Sequence, residues 1–308
     1  MNINLLHHLC EVYQIGSCLS EPIPCRGGLL HHTYRFETTE GQFVIKYLYP
    51  AIINQTGKKD RYRITEFIAR QLSQHVSGIT AITHEGDPLF TFENETVMVF
   101  PYVNAAILQQ HDVTLPHIEK IAQMLSKIHQ ANIQVDHVPS VEFPDQSIVA
   151  RLEKYVPDIG DIYEKLKLHK EVLENNLVIS HRDCDPKNVL WDKKGNYFII
   201  DWESAGWINR TKDVLVTAIY WSFDEHYHIR LDYLLEFLRK YQGEINEQEI
   251  EAGLYGLLGD WIEWLDFNLS RKEIALGAKE AHQTIVTIPI LFSQFSGITD
   301  YLKNGKKS

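Results

Sequence analysis

The hydrophobic pattern of this chain changes period once, near Val103, and that change limits what it can fold into. Before it, β-branched and aromatic residues come in short runs. Leu29 to Phe36 and Gln42 to Leu48, joined by Thr-Thr-Glu-Gly at 38–41, predict an antiparallel hairpin, and Thr96 to Phe100 predicts a further buried strand. Pro101 ends that strand, because it cannot donate to a central ladder. Between them Ile64, Phe67, Ile68 and Leu72 recur at i, i+3, i+4 and i+8, which predicts a helix between Arg61 and His75 with that stripe buried. After Val103 the period is helical: Pro116 to His129 carries Ile118, Ile121, Ala122, Leu125 and Ile128 on one side. One β-rich interruption lies at 177–201, with strands predicted at Leu177 to Ser180, Val189 to Trp191 and Tyr197 to Ile200, and the helical period resumes from Lys212. At 308 residues the chain is long for one core, since single cores stop growing near ~250–300 residues. An α+β chain is expected: a small antiparallel-sheet lobe with one key helix over residues 1–102, and a larger, mainly helical lobe over 103–308.

Composition narrows the functional classes. With 44% hydrophobic and 11% aromatic residues, disorder is excluded for the bulk of the chain. The net charge of −11 argues against a nucleic-acid partner, whose phosphates attract a basic surface. Residues 203–266 alone carry 13 acidic and 5 basic side chains, a field that attracts cations, although solvated outer helix faces give the same count. No stretch approaches the roughly 18–20 consecutive apolar residues of a membrane span, and the N-terminus has neither a basic region nor a small-residue cleavage site. Cys10, Cys18, Cys25 and Cys184 match neither a metal knuckle nor a disulfide framework, so a reducing, cytoplasmic setting is expected. There is no HExxH, and the His-His pairs at 7–8 and 31–32 show no partnered ligand spacing, which disfavours zinc and makes them surface or packing residues. Nothing in the sequence fixes an oligomeric state.

The unusual residues concentrate in Ser180-His-Arg-Asp-Cys-Asp-Pro-Lys-Asn-Val-Leu-Trp191 and Ile199-Ile-Asp-Trp-Glu203, with apolar strands on both sides. Asp183, Asp185, Asn188 and Asp201 are hard oxygen ligands of the kind Mg²⁺ takes, few in number, with remaining positions kept for water and phosphate. Phosphoryl transfer needs one carboxylate to orient the attacking hydroxyl and separate ligands to hold the metal on the phosphates. His181, Asp183 and Asn188 in H-x-D-x-x-x-x-N, followed 13 positions later by Asp201 at the end of an apolar strand, supply those parts in order. Cys184, between two acids, is expected to pack rather than react, because its neighbours raise its pKa.

The segments HRDCDPKNVLW and IIDWESAGW resemble the aminoglycoside phosphotransferase and choline kinase group of small-molecule kinases, which shares the bilobal protein-kinase-like fold. The resemblance extends over most of the chain. DWE in place of DFG, the Pro before Lys-Asn, and the lack of an Ala-Pro-Glu segment at a suitable distance set it with the small-molecule branch. It implies that Asp183 is the catalytic carboxylate, that Asn188 and Asp201 bind Mg²⁺, and that His181 supports the loop. It implies a nucleotide-binding lobe at 1–102 and a catalytic and substrate-binding lobe at 103–308.

Lys46, a charge in the apolar run Phe43 to Leu48, is then the cation on the nucleotide phosphates, and burial there is costly unless it is paired. Glu66, off the apolar stripe, is its expected partner, with a surface role as the alternative. Gly27 and Gly28 take the place of the phosphate-covering loop, although a Gly-Gly pair fits a plain turn as well. Phe100, Tyr102 and Val103 are the expected hinge for the base of ATP, with GTP not excluded. Glu203, Trp207, Asp260, Glu263 and Trp264 are the expected contacts for a small cationic substrate, since carboxylates and indole faces bind ammonium groups; Trp264 fits core packing equally. An aminoglycoside is the first acceptor expected. A choline-like or other small amino alcohol, or a sugar or macrolide, is the alternative. Two other classes stay open: a nucleotide-binding pseudokinase scaffold, and a phosphohydrolase using the same carboxylates.

Overall fold

The computed structural model describes residues 3–25, 31–140, 143–271 and 275–304. Along the first part of the chain run α1 (Ile3–Val12), β1 (Ile23–Pro24), β2 (His32–Thr38), β3 (Gly41–Tyr47), α2 (Pro50–Ile53), α3 (Lys58–Leu72), β4 (Phe90–Phe92), β5 (Glu95–Pro101) and β6 (Ala106–Ile107). There follow α4 (Leu115–Gln130), α5 (Gln146–Leu152), α6 (Ile159–Leu168), α7 (Lys170–Leu173), β7 (Leu177–Ser180), β8 (Val189–Trp191), β9 (Tyr197–Ile199), β10 (Gly206–Asn209), α8 (Arg210–Ser222), α9 (Leu231–Lys240), α10 (Ile250–Ser270) and α11 (Ala275–Asn304). They divide into two compact units. Unit 1 is Met1–Ile107, Ile133–Pro139 and Lys187–Ala205; unit 2 is Leu108–Asn132, Ser140–Pro186 and Gly206–Ser308. Where the sequence pattern drew a single break after residue 102, this division falls after Ile107 and places Lys187–Ala205 in unit 1.

Unit 1 is built on a sheet in the order β1-β2-β3-β5-β4 among the described residues. The predicted hairpin forms with Phe36 opposite Phe43 and Thr33 opposite Lys46, and β5 pairs on the other side of β3, Ile45 facing Val99 and Lys46 facing Met98. Strand alternation then sorts the faces. Ile45 points into a core of Leu5, Leu6 and Leu9 from α1 with Phe36, Val97 and Val99. Met98 joins the second core, with Leu48, Ile53, Tyr62, Ala81 and Leu89, and Lys46 lies on that side of β3. α3 buries Tyr62, Thr65, Glu66, Ile68, Ala69 and Leu72. The expected stripe is corrected here: Phe67 is 47% exposed while Glu66 is buried, so the inward face is turned about one residue from the most hydrophobic one. Lys187–Ala205 joins this unit through the backbone, since Ile79 donates to Ile199 O and Ile199 to Ser77 O, both at 2.8 Å. Gly78 allows Trp202 to approach, because a Cβ there would lie 2.9 Å from the indole ring.

The β-rich interruption belongs to two sheets. β8 and β9 form a hairpin that pairs with β6, whereas β7 pairs antiparallel with β10, a strand that the sequence reading missed. In unit 2, α8 is buried on almost every side. α10 crosses it closely at Gly253, where a Cβ would meet Leu215 at 2.9 Å and the α8 backbone at 3.2 Å. His129 of α4 is buried with Nε2 2.8 Å from Asp213 and Nδ1 2.7 Å from Tyr241 OH, tying α4 to α8 and the end of α9. α11 packs along α10, burying Ile288, Leu291, Phe295, Ile298 and Leu302 at helical spacing. By length and composition alone, Ala275–Lys303 is the one stretch among the described residues that could cross a membrane, and a third of it is buried.

Candidate active site

In unit 1 the centre is Lys46. Because Ile45 faces the α1 core, its neighbour faces the other side, and the Lys46 side chain is only 12% exposed. Nζ lies 3.0 Å from Asp201 Oδ1 and forms a second ion pair with Glu203 Oε1. Burial lowers the pKa of a lysine, but Asp201 and then Glu203 reverse this, so Lys46 stays protonated. Burial likewise opposes the charge on Glu203, yet Lys46 foremost and then His31 hold its carboxyl well below the usual range. An ammonium has three N–H donors, and these two acids account for two of them.

The expected Lys46–Glu66 pair is not formed. Glu66 is 4% exposed and accepts the Ala81 N–H, and burial pushes its pKa up to about 7 against the lowering effects of that hydrogen bond, Arg70 and Lys46. Glu203 is corrected as well: it sits beside Lys46 in unit 1, not among the helices of unit 2. Its Oε2 accepts from Tyr62 OH at 3.0 Å and lies 3.3 Å from His31 Nε2, which is also 2.8 Å from Tyr62 OH. His31 Nδ1 accepts the Tyr49 N–H at 3.0 Å, so Nε2 carries the proton in the neutral ring. His31 and Tyr62 were not selected by sequence; the pattern of His-His pairs reads as packing, and only burial and the contacts with Tyr49, Tyr62 and Glu203 distinguish His31 from exposed His32.

Asn188 and Asp201 come to the same end of the β8–β9 hairpin, where Ile200 donates to Asn188 O at 2.9 Å. Asn188 is buried, and the Asp201 side chain is 42% exposed at a backbone φ of 62°. An amide and a carboxylate are hard donors, and such a pair fits a small divalent ion that draws its remaining ligands from water and phosphate. Among the described residues no group of three or more His, Cys, Asp or Glu side chains is placed to hold a metal. At the expected hinge, Phe100, Tyr102 and Val103 are half-buried; Tyr102 N–H is committed to Gln42 O at 3.0 Å and its OH accepts from Arg35. Gly27 and Gly28 lie outside the described residues.

In unit 2 the loop after β7 carries Asp183. Its backbone N–H reaches His181 Nδ1 at 3.3 Å, and His181 is fully buried. Trp221 of α8 donates its indole N–H to Cys184 O at 2.8 Å. Cys184 is buried as expected, and burial first, then Asp213, Asp183 and Asp185, push its thiol well up.

Compared with protein-family models, residues 22–249 match the phosphotransferase enzyme family, APH. This chain belongs to that family. It is a small-molecule phosphotransferase acting on a hydroxyl group. Among curated proteins no sequence match is found. Solved structures share its kinase-like fold. An amicoumacin kinase in complex with AMP-PNP, Ca²⁺ and Ami superposes with a TM-score of 0.68 at 13% identity, covering 97% of each chain. A spectinomycin phosphotransferase in complex with ADP and spectinomycin gives 0.68 at 14% identity over 95% of this chain and 98% of that one. A choline kinase from Streptococcus pneumoniae gives 0.63 at 15% identity over 94% and 99%.

The substrate residues expected in the helical unit of the phosphotransferase separate. Trp207 and Asp260 line a cavity of about 130 Å³ together with Lys212, and Asp260 is paired with the buried Lys212 ammonium at 2.8 Å. That cavity includes Leu177 and Asn209, at the opposite end of the β7–β10 ladder from Ser180, where the Asp183 loop leaves. Glu263 and Trp264 are half-buried on α10, with Trp264 stacked on Phe267 at 5.6 Å. A feature missed by sequence is a closed circuit of four rings: Tyr220 to Phe223 at 6.0 Å, Phe223 to Tyr227 at 5.4 Å, Tyr227 to Trp261 at 6.2 Å and Trp261 to Tyr220 at 6.4 Å. Tyr227 holds its place at φ 63° on a loop folded around Asp224, which accepts from His226 N and His228 N. Aromatic spacing on α8 and α10 was the available signal, but two helices and a loop had to meet before it meant anything.

Proposed function

We propose that this phosphotransferase moves the γ-phosphoryl group of ATP to a hydroxyl of a small, amine-bearing molecule, with Asp183 as the carboxylate that orients the hydroxyl. What carries the reading is the double fixation of the Asp183 loop: buried His181 takes the backbone N–H of Asp183, and Trp221 takes the next carbonyl. A loop held from both sides by buried groups presents a carboxylate in one geometry, and positioning is most of what phosphoryl transfer asks of a protein. Lys46 would hold the phosphates, and Asn188 and Asp201 would hold Mg²⁺, which when bound neutralises phosphate charge. At the hinge Tyr102 N–H is already used, so Val103 supplies the donor to the base.

For the acceptor, the four-ring circuit of Tyr220, Phe223, Tyr227 and Trp261 favours a compact amino alcohol of the choline kind over an aminoglycoside. Aromatic faces retain a single ammonium without fixed carboxylates. A polyamine asks for several acids, and Asp260 and Asp266 are engaged by Lys212 and Arg151. The test is an ADP-release screen over choline-like alcohols, aminoglycosides, sugars and macrolides, with mass spectrometry for a phosphate-sized gain. Turnover on an amino alcohol supports this reading, and turnover confined to aminoglycosides overturns the preference. ADP formed without acceptor would point to a hydrolase; AMP-PNP bound but no turnover on anything would point to a scaffold. Asp183→Asn is expected to abolish turnover while AMP-PNP affinity stays within several-fold.

A further inference from the structure

Three acids surround the buried Lys46 ammonium: Asp201, 3.0 Å from Nζ and read above as a metal ligand, leaves Glu66 and Glu203 as the candidates for orienting it. Glu66, on α3, gives its carboxylate to the Ala81 N–H. Glu203 instead spans two partners: Oε1 faces Lys46, and Oε2 takes the Tyr62 hydroxyl at 3.0 Å with His31 Nε2 3.3 Å away. His31 is 6% exposed and Tyr62 7%, so both are fixed by packing, and His31 is further locked through Nδ1 by the Tyr49 N–H. A chain of contacts therefore runs from the backbone at Tyr49 through His31 and Tyr62 to Glu203 and ends on the Lys46 ammonium.

We propose that Glu203, and not Glu66, is the acid that orients Lys46 for the nucleotide, and that His31 and Tyr62 are positioning residues acting through Glu203. Glu203 reaches Lys46 from the segment that carries Asp201, so the phosphate cation and the metal-side carboxylate are placed by one piece of chain. The inference rests on the reading of Lys46 as the cation on the nucleotide phosphates.

Calorimetric titration of the full chain with AMP-PNP and Mg²⁺ tests it. Wild type is measured first; a wild type that does not bind AMP-PNP overturns the ATP reading, and this inference with it, before any variant is compared. Given binding, Glu203→Gln is expected to weaken it about tenfold or more and Glu66→Gln by less than about threefold. Tyr62→Phe, which removes one oxygen, is expected to weaken binding about three- to tenfold and to raise KM for ATP with kcat within about twofold. The same substitution made on Glu203→Gln should add less than about twofold, because its route to Lys46 is already cut. A purely structural Tyr62 would lower the melting temperature without moving KM, and a Tyr62 that affects binding by a route independent of Glu203 would multiply fully with Glu203→Gln. Either of those results, or equal weakening by Glu66→Gln and Glu203→Gln, overturns the proposal; His31→Gln supplies a second entry to the same cycle should Tyr62→Phe fold poorly.

Discussion

Glu66 carries a proton at pH values where a solvated glutamate has lost it, because burial outweighs the Ala81 N–H and the neighbouring cations and brings its pKa to about 7. Between its ordinary 4.5 and that value the folded chain holds a proton that the unfolded chain has released, so stability falls as pH rises through the interval. The full effect is on the order of 3 kcal/mol, present below pH ~4.5 and lost by pH ~8. Melting temperatures of wild type and Glu66→Gln across pH 5–8 should therefore converge at the acid end, with the variant the more stable at the basic end; parallel curves would sink this account. Cys184 offers a second check at this scale. Buried among three aspartates, it should resist alkylation at pH 8 in the native chain and react once the chain is unfolded. Its packing role could be read from its acidic neighbours in sequence. The misplacing of Glu66 could not be avoided in that way, because an acid one position from an apolar stripe gives no sign of which way the helix is rolled.

Element by element, the strands were legible where alternation and turn residues agreed: β7 and β8 begin and end where their apolar runs do, and the β2–β3 hairpin closes on Thr38 and Gly41. β10 was not, since Gly-Trp-Ile-Asn has no alternation to distinguish it and becomes a strand only because β7 offers it an edge. α3 carries the sharpest energetic contrast. Ile68→Ala should cost about 2–5 kcal/mol in denaturant unfolding, whereas Phe67→Ala should cost under about 1 kcal/mol despite removing the larger side chain, because Ile68 is 0% exposed and Phe67 47%. Equal costs would mean the helix is rolled as its hydrophobicity suggests. On α8, Trp221→Phe removes the donor to Cys184 O, a loss of about 1 kcal/mol, roughly fivefold in kcat, from a looser Asp183 loop. Unchanged kcat would show that the loop is held without it.

At the scale of the whole molecule, a ligand that binds only the folded state stabilises it by mass action, about 2.7 kcal/mol at a hundred times Kd. AMP-PNP with Mg²⁺ should therefore raise the melting temperature by several degrees, and EDTA should remove most of the rise; a shift indifferent to EDTA would speak against a metal at Asn188 and Asp201. The order of the two halves, a strand-rich beginning and a helical remainder, was determined by the sequence alone, because hydrophobic period is a local property. So was the order His181, Asp183, Asn188, Asp201, because the chemistry is written as short-range spacing. The pairing of charges was decided by the tertiary structure: Lys46 meets acids 155 and 157 positions away rather than Glu66 on α3, and Asp260, its side chain 38% exposed, meets Lys212. Coulomb attraction acts through space and burial sets its strength, and neither quantity exists until the elements have packed.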